Sequence, residues 1–390
     1  MAFAYTGEAE IDGIKYYIVT KGNDASVIGC KSEITNLIIP ETIEYDGVIC
    51  NVTAIQNRAF WGNYKLTSVS LPNSIVKIDH FAFADCEKLS SITIPKSVTY
   101  LGQGVFYRCT NLSTVNIPSI TQWLNIINYQ DTFTDPYQLQ IDGVTLSELS
   151  LPTGISEIKI GTFQNCISIE RIHFAGEINK IGASAFKGCK NIKEIIMSEN
   201  VSYIGQNAFE GCEKLENLQL SSNIETIEVS AFSGCSNLRM LRIPEGVKNL
   251  YAYSFAYCTN LTKVYLPSSL KTIRERVFRS CTEITDIYAY SITPPDLSFY
   301  AFDNSDMKYI TLHVPLESID SYKEALPWNY FKSIVALTNE DAGINHQAIS
   351  TENGEVIYNT IDGRKIESTR KGIYIIRNNS GQTRKIIITR

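Results

Sequence analysis

Ten cysteines and four histidines are the side chains of this 390-residue sequence best suited to ligate a metal or attack a substrate, and their spacing decides what is open to them. Eight of the cysteines, Cys86, Cys109, Cys166, Cys189, Cys212, Cys235, Cys258 and Cys281, recur at intervals of 23 residues apart from one gap of 57. A zinc site draws its cysteines in short, closely spaced pairs, and none of these is so paired. In a repeat they fall on one line, each above the next, which suits small buried side chains. In-register parallel positions aim their Cβ vectors alike, so bridges between neighbouring rungs are disfavoured. Cys30 and Cys50 lie off the line, and whether they pair is open at this level. His80, His173, His313 and His346 are far apart, with no glutamate at the spacing of a helical zinc motif. No nucleophile elbow, phosphate-binding loop or dinucleotide fingerprint is present. The expectation is a protein with no cofactor, no metal and no enzymatic activity.

The cysteine line is one column of a larger pattern. Three residues before each of these cysteines stands a phenylalanine, and the whole series runs Phe60, Phe83, Phe106, Phe163, Phe186, Phe209, Phe232, Phe255, Phe278 and Phe302, with seven of nine intervals equal to 23. Aliphatic residues follow at six and nine positions after the first nine of these phenylalanines, with a third apolar residue at eleven. The pair at nine and eleven has the period of a strand with one buried face, and Pro72, Pro95, Pro118, Pro244 and Pro267 end that strand in five coils. Further aliphatics, such as Val98 and Leu101 or Ile224 and Ile227, make the return path extended and half-buried. Too few residues remain per coil for a full helix. One coil cannot bury its own apolar side, so neighbours must stack and share a continuous core. Ten coils at the ordinary strand spacing give a rod on the order of 50 Å long.

The repeat typified by Ile204-Gly205-Gln206-Asn207-Ala208-Phe209-Glu210-Gly211-Cys212-Glu213-Lys214-Leu215 resembles that of the BspA-like leucine-rich repeat proteins of bacterial surfaces. The resemblance covers most of the chain. It implies a β-rich leucine-rich repeat solenoid, with parallel strands stacked in a curved right-handed coil, short helical turns and a concave strand face. It also implies adhesion or recognition outside the cell, in a secreted or cell-surface protein.

On that face only the side chains eight and ten residues after each phenylalanine project outward. In the first three coils they are Ser68, Ser70, Ser91, Thr93, Thr114 and Asn116, a strip of small polar groups. From residue 163 onward they become Arg171, His173, Glu194, Ile196, Asn217, Gln219, Met240, Arg242, Lys263, Tyr265, Asp286 and Tyr288. Aromatic, methionine and arginine side chains are frequent anchors of binding energy. A partner contact is therefore expected at Met240, Arg242, Lys263, Tyr265, Asp286 and Tyr288, against the alternative of a merely varied solvent face. The expected partner is a host or bacterial surface protein. A glycan is the second reading, for which the 22 tyrosines offer stacking surfaces.

The rest of the chain divides around the repeats. Residues 1–54 are expected to hold capping hairpins and a first coil, with turn signals at Asp12-Gly13 and Asp46-Gly47. Repeats fill 55–118. Residues 119–160 read as an insertion that interrupts the stack, opening with helix-like spacing of Trp123, Leu124 and Ile127 and turning back at Asp142-Gly143. Repeats resume over 161–336 and end in a cap, with a short helix from Ser318 to Leu326 that places Tyr322 and Leu326 on one face. Residues 337–348 read as a linker and 349–390 as a small C-terminal β module. That module resembles the sorting domains read by the type 9 secretion system of Bacteroidetes.

Composition agrees with a folded solenoid, 44% hydrophobic and 19% charged. The net charge of −6 leaves no basic footprint for nucleic acid. Charge is unevenly placed: Val356 to Arg390 carries eight basic residues against two acidic, leaving −12 for the remainder. No signal peptide is visible in Met1 to Glu10, and no apolar run is long enough to span a bilayer.

Overall fold

The computed structural model describes residues 6–129, 131–174 and 176–338, and beyond these the strands Ala348–Ser350, Val356–Asn359, Lys365–Ile366, Gly372–Arg377 and Thr383–Ile388. The first five residues, most of the expected linker (339–347) and the stretches between the C-terminal strands lie outside the described residues. The fold is a parallel-strand β-solenoid of about 14 turns with few helices. One line of strands runs from Asn36–Ile38 to Ser333–Ala336 in four hydrogen-bonded runs of two, three, four and five parallel strands, with residues 23 apart in direct register through most of it. A second line of two-residue strands, such as Lys180–Ile181, Tyr203–Ile204 and Thr226–Ile227, forms the return path. At the ordinary strand spacing, 14 turns give a rod of about 65 Å, longer than ten phenylalanine coils alone suggest.

Between the two lines the chain turns at the phenylalanines, whose rings stack face to face. Centroids lie 5.0 to 6.2 Å apart from Phe60 to Phe133 and again from Phe163 to Phe302. The cysteines lie under them, buried and free. In seven rungs the thiol donates to the carbonyl of the phenylalanine one coil back, as from Cys109 to Phe83 and from Cys189 to Phe163, both at 3.0 Å. In the last rung the Ser305 hydroxyl takes over, donating to the Phe278 carbonyl at 2.8 Å. Burial pushes up the thiols of Cys86, Cys109, Cys166, Cys189, Cys212 and Cys235, to about 12 for Cys109.

Residues 119–160 do not leave the stack. Phe133 stacks on Phe106 at 5.1 Å, Gln138–Ile141 pairs in register with Thr114–Ile117, and Glu148–Ser150 pairs with Arg171–His173. Two long coils, spaced 27 and 30 residues between phenylalanines, thus occupy the gap of 57. The expected helix is Ile120–Asn125, capped by the Ser119 hydroxyl accepting from the Gln122 amide, with Trp123 and Leu124 buried. Ile127 falls outside it and is exposed; its backbone joins the return line beside Tyr100.

Three Asp-Gly turns carry left-handed backbone at both positions, at Asp12-Gly13, Asp46-Gly47 and Asp142-Gly143, the geometry of two-residue hairpins. The first two hairpins, with Asp24–Cys30 between them, extend the return line and cover its N-terminal end with Ile14, Tyr16 and Ile18. Asp24–Cys30 and Val48–Ile55 run parallel with Asp24 opposite Asn51. Cys30 and Cys50 are therefore at opposite ends of adjacent strands, about 20 Å apart, and do not pair.

At the other end the helix Ile319–Glu324 buries Tyr322 but leaves Leu326 exposed past its terminus. The second capping residue is instead Trp328, whose indole N–H donates to the Pro295 carbonyl at 2.7 Å; the Tyr322 hydroxyl donates to the Ser291 carbonyl at 3.0 Å. The described C-terminal strands pair antiparallel, as a three-stranded set and a two-stranded pair.

Candidate functional site on the strand face

Strands Met240–Arg242, Lys263–Leu266, Asp286–Ala289, Thr311–Val314 and Ser333–Ala336 form the longest run of the strand face. In-register pairing puts outward residues into columns, because identical positions on neighbouring parallel strands stand side by side. One column is Met240, Lys263, Asp286 and Thr311. The other is Arg242, Tyr265, Tyr288 and His313. All six residues expected at a contact surface therefore lie together in two adjacent columns.

The second column is a continuous stack. The Arg242 guanidinium carbon lies 3.7 Å from the Tyr265 ring centroid, Tyr265 and Tyr288 stack at 4.6 Å, and Tyr288 and His313 stack at 4.4 Å. A cation over an aromatic face and offset rings are both favourable, and together they hold the side chains in place. His313 Nε2 meets Asp286 Oδ1 at 2.9 Å, tying the two columns to each other. Burial tends to raise the Asp286 carboxyl, but the His313 imidazole and the Thr285 hydroxyl outweigh it and hold the group below the usual carboxylate range.

The six do not offer surface equally. Met240 is 48% exposed, Arg242 and Lys263 are exposed and Tyr265 is half-buried. Tyr288, placed outward by the repeat, is only 5% exposed because it sits between Tyr265 and His313. It supports the stack rather than presenting surface. Neither Arg242 nor Lys263 has a carboxylate within 4 Å among the described residues. His313 is the member that counting from the ladder phenylalanines misses. One extra residue stands between Phe302 and its strand, so the outward positions fall nine and eleven after the phenylalanine rather than eight and ten; the alternation Thr311-Leu312-His313-Val314 ahead of Pro315 is the signal that reveals it.

Elsewhere the strand face is less organised. His173 lies between Glu194, 3.2 Å from its Nε2, and Glu148, 3.7 Å from its Nδ1. Among the described residues no group of three potential ligands is arranged to hold a metal ion, and no helix is long and apolar enough to cross a membrane. Ser68, Ser70, Ser91 and Thr93 are exposed, as the bland half of the strip.

A family model described as BspA type leucine rich repeat region matches the chain in six copies, over residues 29–139, 141–262 and 203–324. No curated protein matches the sequence. Among solved structures, a leucine-rich repeat protein from Eubacterium ventriosum is similar at 19% identity and a TM-score of 0.48, covering 76% of this chain and 93% of its own. The pneumococcal vaccine antigen PcpA is similar at 16% identity and a TM-score of 0.44, covering 86% and 99%. A leucine rich cell surface protein from Faecalibacterium prausnitzii is similar at 20% identity and a TM-score of 0.43, covering 74% and 96%.

Proposed function

The chain belongs to the BspA-type leucine-rich repeat family, and from that premise we propose that it is a non-enzymatic, secreted or cell-surface binding protein whose strand face takes a protein partner. A binding role without catalysis fits the family. The observation that carries the contact to one place is the Arg242–Tyr265–Tyr288–His313 stack, which fixes a guanidinium and a tyrosine beside the exposed Met240 and Lys263. Side chains already immobilised lose little entropy on binding, and arginine, tyrosine and methionine are enriched where interfaces concentrate their energy. Arg242 and Lys263, neither of them in an ion pair within 4 Å, favour a partner that brings acidic groups of its own.

Replacing Arg242, Lys263 and Tyr265 together by alanine is expected to abolish capture of the partner from host-cell or bacterial-surface extracts, with identification by mass spectrometry, and to leave the melting temperature within a few degrees of the parent. Undiminished capture by the triple variant removes the site. The strands between Val356 and Ile388 lie beyond the matched repeats, and in the same reading they serve as the export signal. Deleting residues 349–390 should then keep the chain inside the cell; normal export of the truncated chain discards that assignment.

A further inference from the structure

Trp61 stands one residue past the first ladder phenylalanine, a position that one other coil fills with an aromatic residue, Tyr107, and the rest with Ala84, Gln164, Lys187, Glu210, Ser233, Ala256, Arg279 and Asp303. The repeat supplies its own comparison: the fold has no need of an aromatic ring there. The ring is nevertheless fixed. Its Nε1 donates to Asp85 Oδ2 at 2.7 Å, and the Arg58 guanidinium carbon lies 4.4 Å from its centroid. Trp61 remains 51% exposed, and Tyr64, three residues on, is 63% exposed. Both border an open groove of about 210 Å³ whose walls also include Ser32, Asn63 and Lys65.

A surface indole held in one orientation, with a second ring and hydroxyl, amide and ammonium groups beside it, meets the needs of a sugar. The C–H face of a pyranose packs on an aromatic face, while its hydroxyls require donors and acceptors close by. A purely apolar partner would leave those polar groups unmatched. We propose that the groove between Trp61 and Tyr64 is a glycan-binding site, separate from the strand-face contact, which takes one pyranose ring of an oligosaccharide against the indole. Asp85 is a positioning residue that sets the plane of the ring.

Of the three tryptophans, Trp123 and Trp328 are buried, so a ligand-dependent change in exposed-indole emission reports Trp61. Titration of the full chain with trisaccharides of glucose, mannose, galactose and N-acetylglucosamine, alongside a glycan array, is expected to give a saturable blue shift with at least one sugar and protection of Trp61 from N-bromosuccinimide. Trp61→Ala should abolish array binding with an unchanged melting temperature. Asp85→Ala should weaken binding by about tenfold, and Asp85→Asn should restore it, since asparagine keeps an acceptor for the indole and tolerates the left-handed backbone there. Arg242→Ala should have no effect on it, whatever it does to protein capture. No shift with any sugar up to about 10 mM and an empty array overturn the proposal. So does glycan binding that survives Trp61→Ala or is lost in Arg242→Ala.

Discussion

At the scale of single residues, the phenylalanine carbonyls explain why cysteine recurs. The carbonyl of Phe163 accepts the amide of Cys166 within its own coil at 3.0 Å and the thiol of Cys189 from the next coil at 3.0 Å. The thiol thereby links consecutive coils while remaining small and nearly apolar, which suits a site with no water. Cys166 departs from the pattern and faces the Ser168 hydroxyl instead, because the coil before it is one of the long ones. Since Cys189 supplies a second bond to a carbonyl that keeps its first, Cys189→Ala is expected to cost about 1 kcal/mol, read from chemical denaturation. The same burial that raises the thiols suppresses the thiolate that reacts. At neutral pH a thiol reagent should therefore modify the folded chain at Cys30 at most, the half-exposed one, and reach the nine buried cysteines only as the chain unfolds. Rapid labelling of a ladder cysteine under native conditions contradicts this account.

At the scale of elements, legibility followed the regularity of the spacing. The strands, their buried alternation and the phenylalanine stack could be read because each coil repeats the last at 23 residues. The Asp-Gly hairpins could be read because their turn type demands those residues. The two coils between Phe106 and Phe163 were hidden by their added length, although Leu149-Ser150-Leu151-Pro152 repeats Val69-Ser70-Leu71-Pro72 and marks one of them. Glycine is another signal with a structural cause. A Cβ on Gly205 would come within 2.7 Å of the Ala183 nitrogen, and one on Gly182 within 2.7 Å of the Ile158 carbonyl oxygen, so the return path leaves no room for a side chain at these two positions. The candidate site was half legible. Column membership follows from the period alone, but the burial of Tyr288 depends on the stacked His313, whose strand is displaced by one residue. Trp61 is not legible in the periodicity, because it stands at a position the core does not use and where residue type varies from coil to coil.

At the scale of the whole molecule, a solenoid is a chain of nearest-neighbour interfaces, and its cooperativity is set by the weakest of them. Three repeated features carry stability along this rod: the strand-face ladder, the return-path ladder and the phenylalanine stack. Between Gln219 and Met240 both ladders lapse, but Phe209 and Phe232 still stack at 5.1 Å. After Phe133 all three stop together. The strand face turns back in the Val144–Thr145 hairpin before restarting at Glu148–Ser150, the return path restarts at Glu157–Ile158, and the stack resumes at Phe163. A single parallel backbone bridge between Tyr137 and Cys166, together with side chains, closes this seam. The Trp123 indole donates to the Thr162 carbonyl at 3.0 Å, the Asn165 amide to the Phe133 and Thr134 carbonyls at 2.9 and 3.0 Å, and the Lys159 ammonium to the Asn125 carbonyl at 2.8 Å. Trp123 is the largest buried group among these, so Trp123→Ala removes both a hydrogen bond and the bulk that fills the joint, at a cost of about 3 to 5 kcal/mol. Because that loss falls on one interface, the expected result is not a uniform weakening. Denaturant unfolding, followed by the exposure of ladder cysteines on either side, should separate into two transitions, Cys86 and Cys109 becoming reactive at a different denaturant concentration from Cys212 and Cys235. If both sets open in one transition that is merely shifted, the seam is as strong as the ladders beside it and the two parts of the rod fold as a single unit.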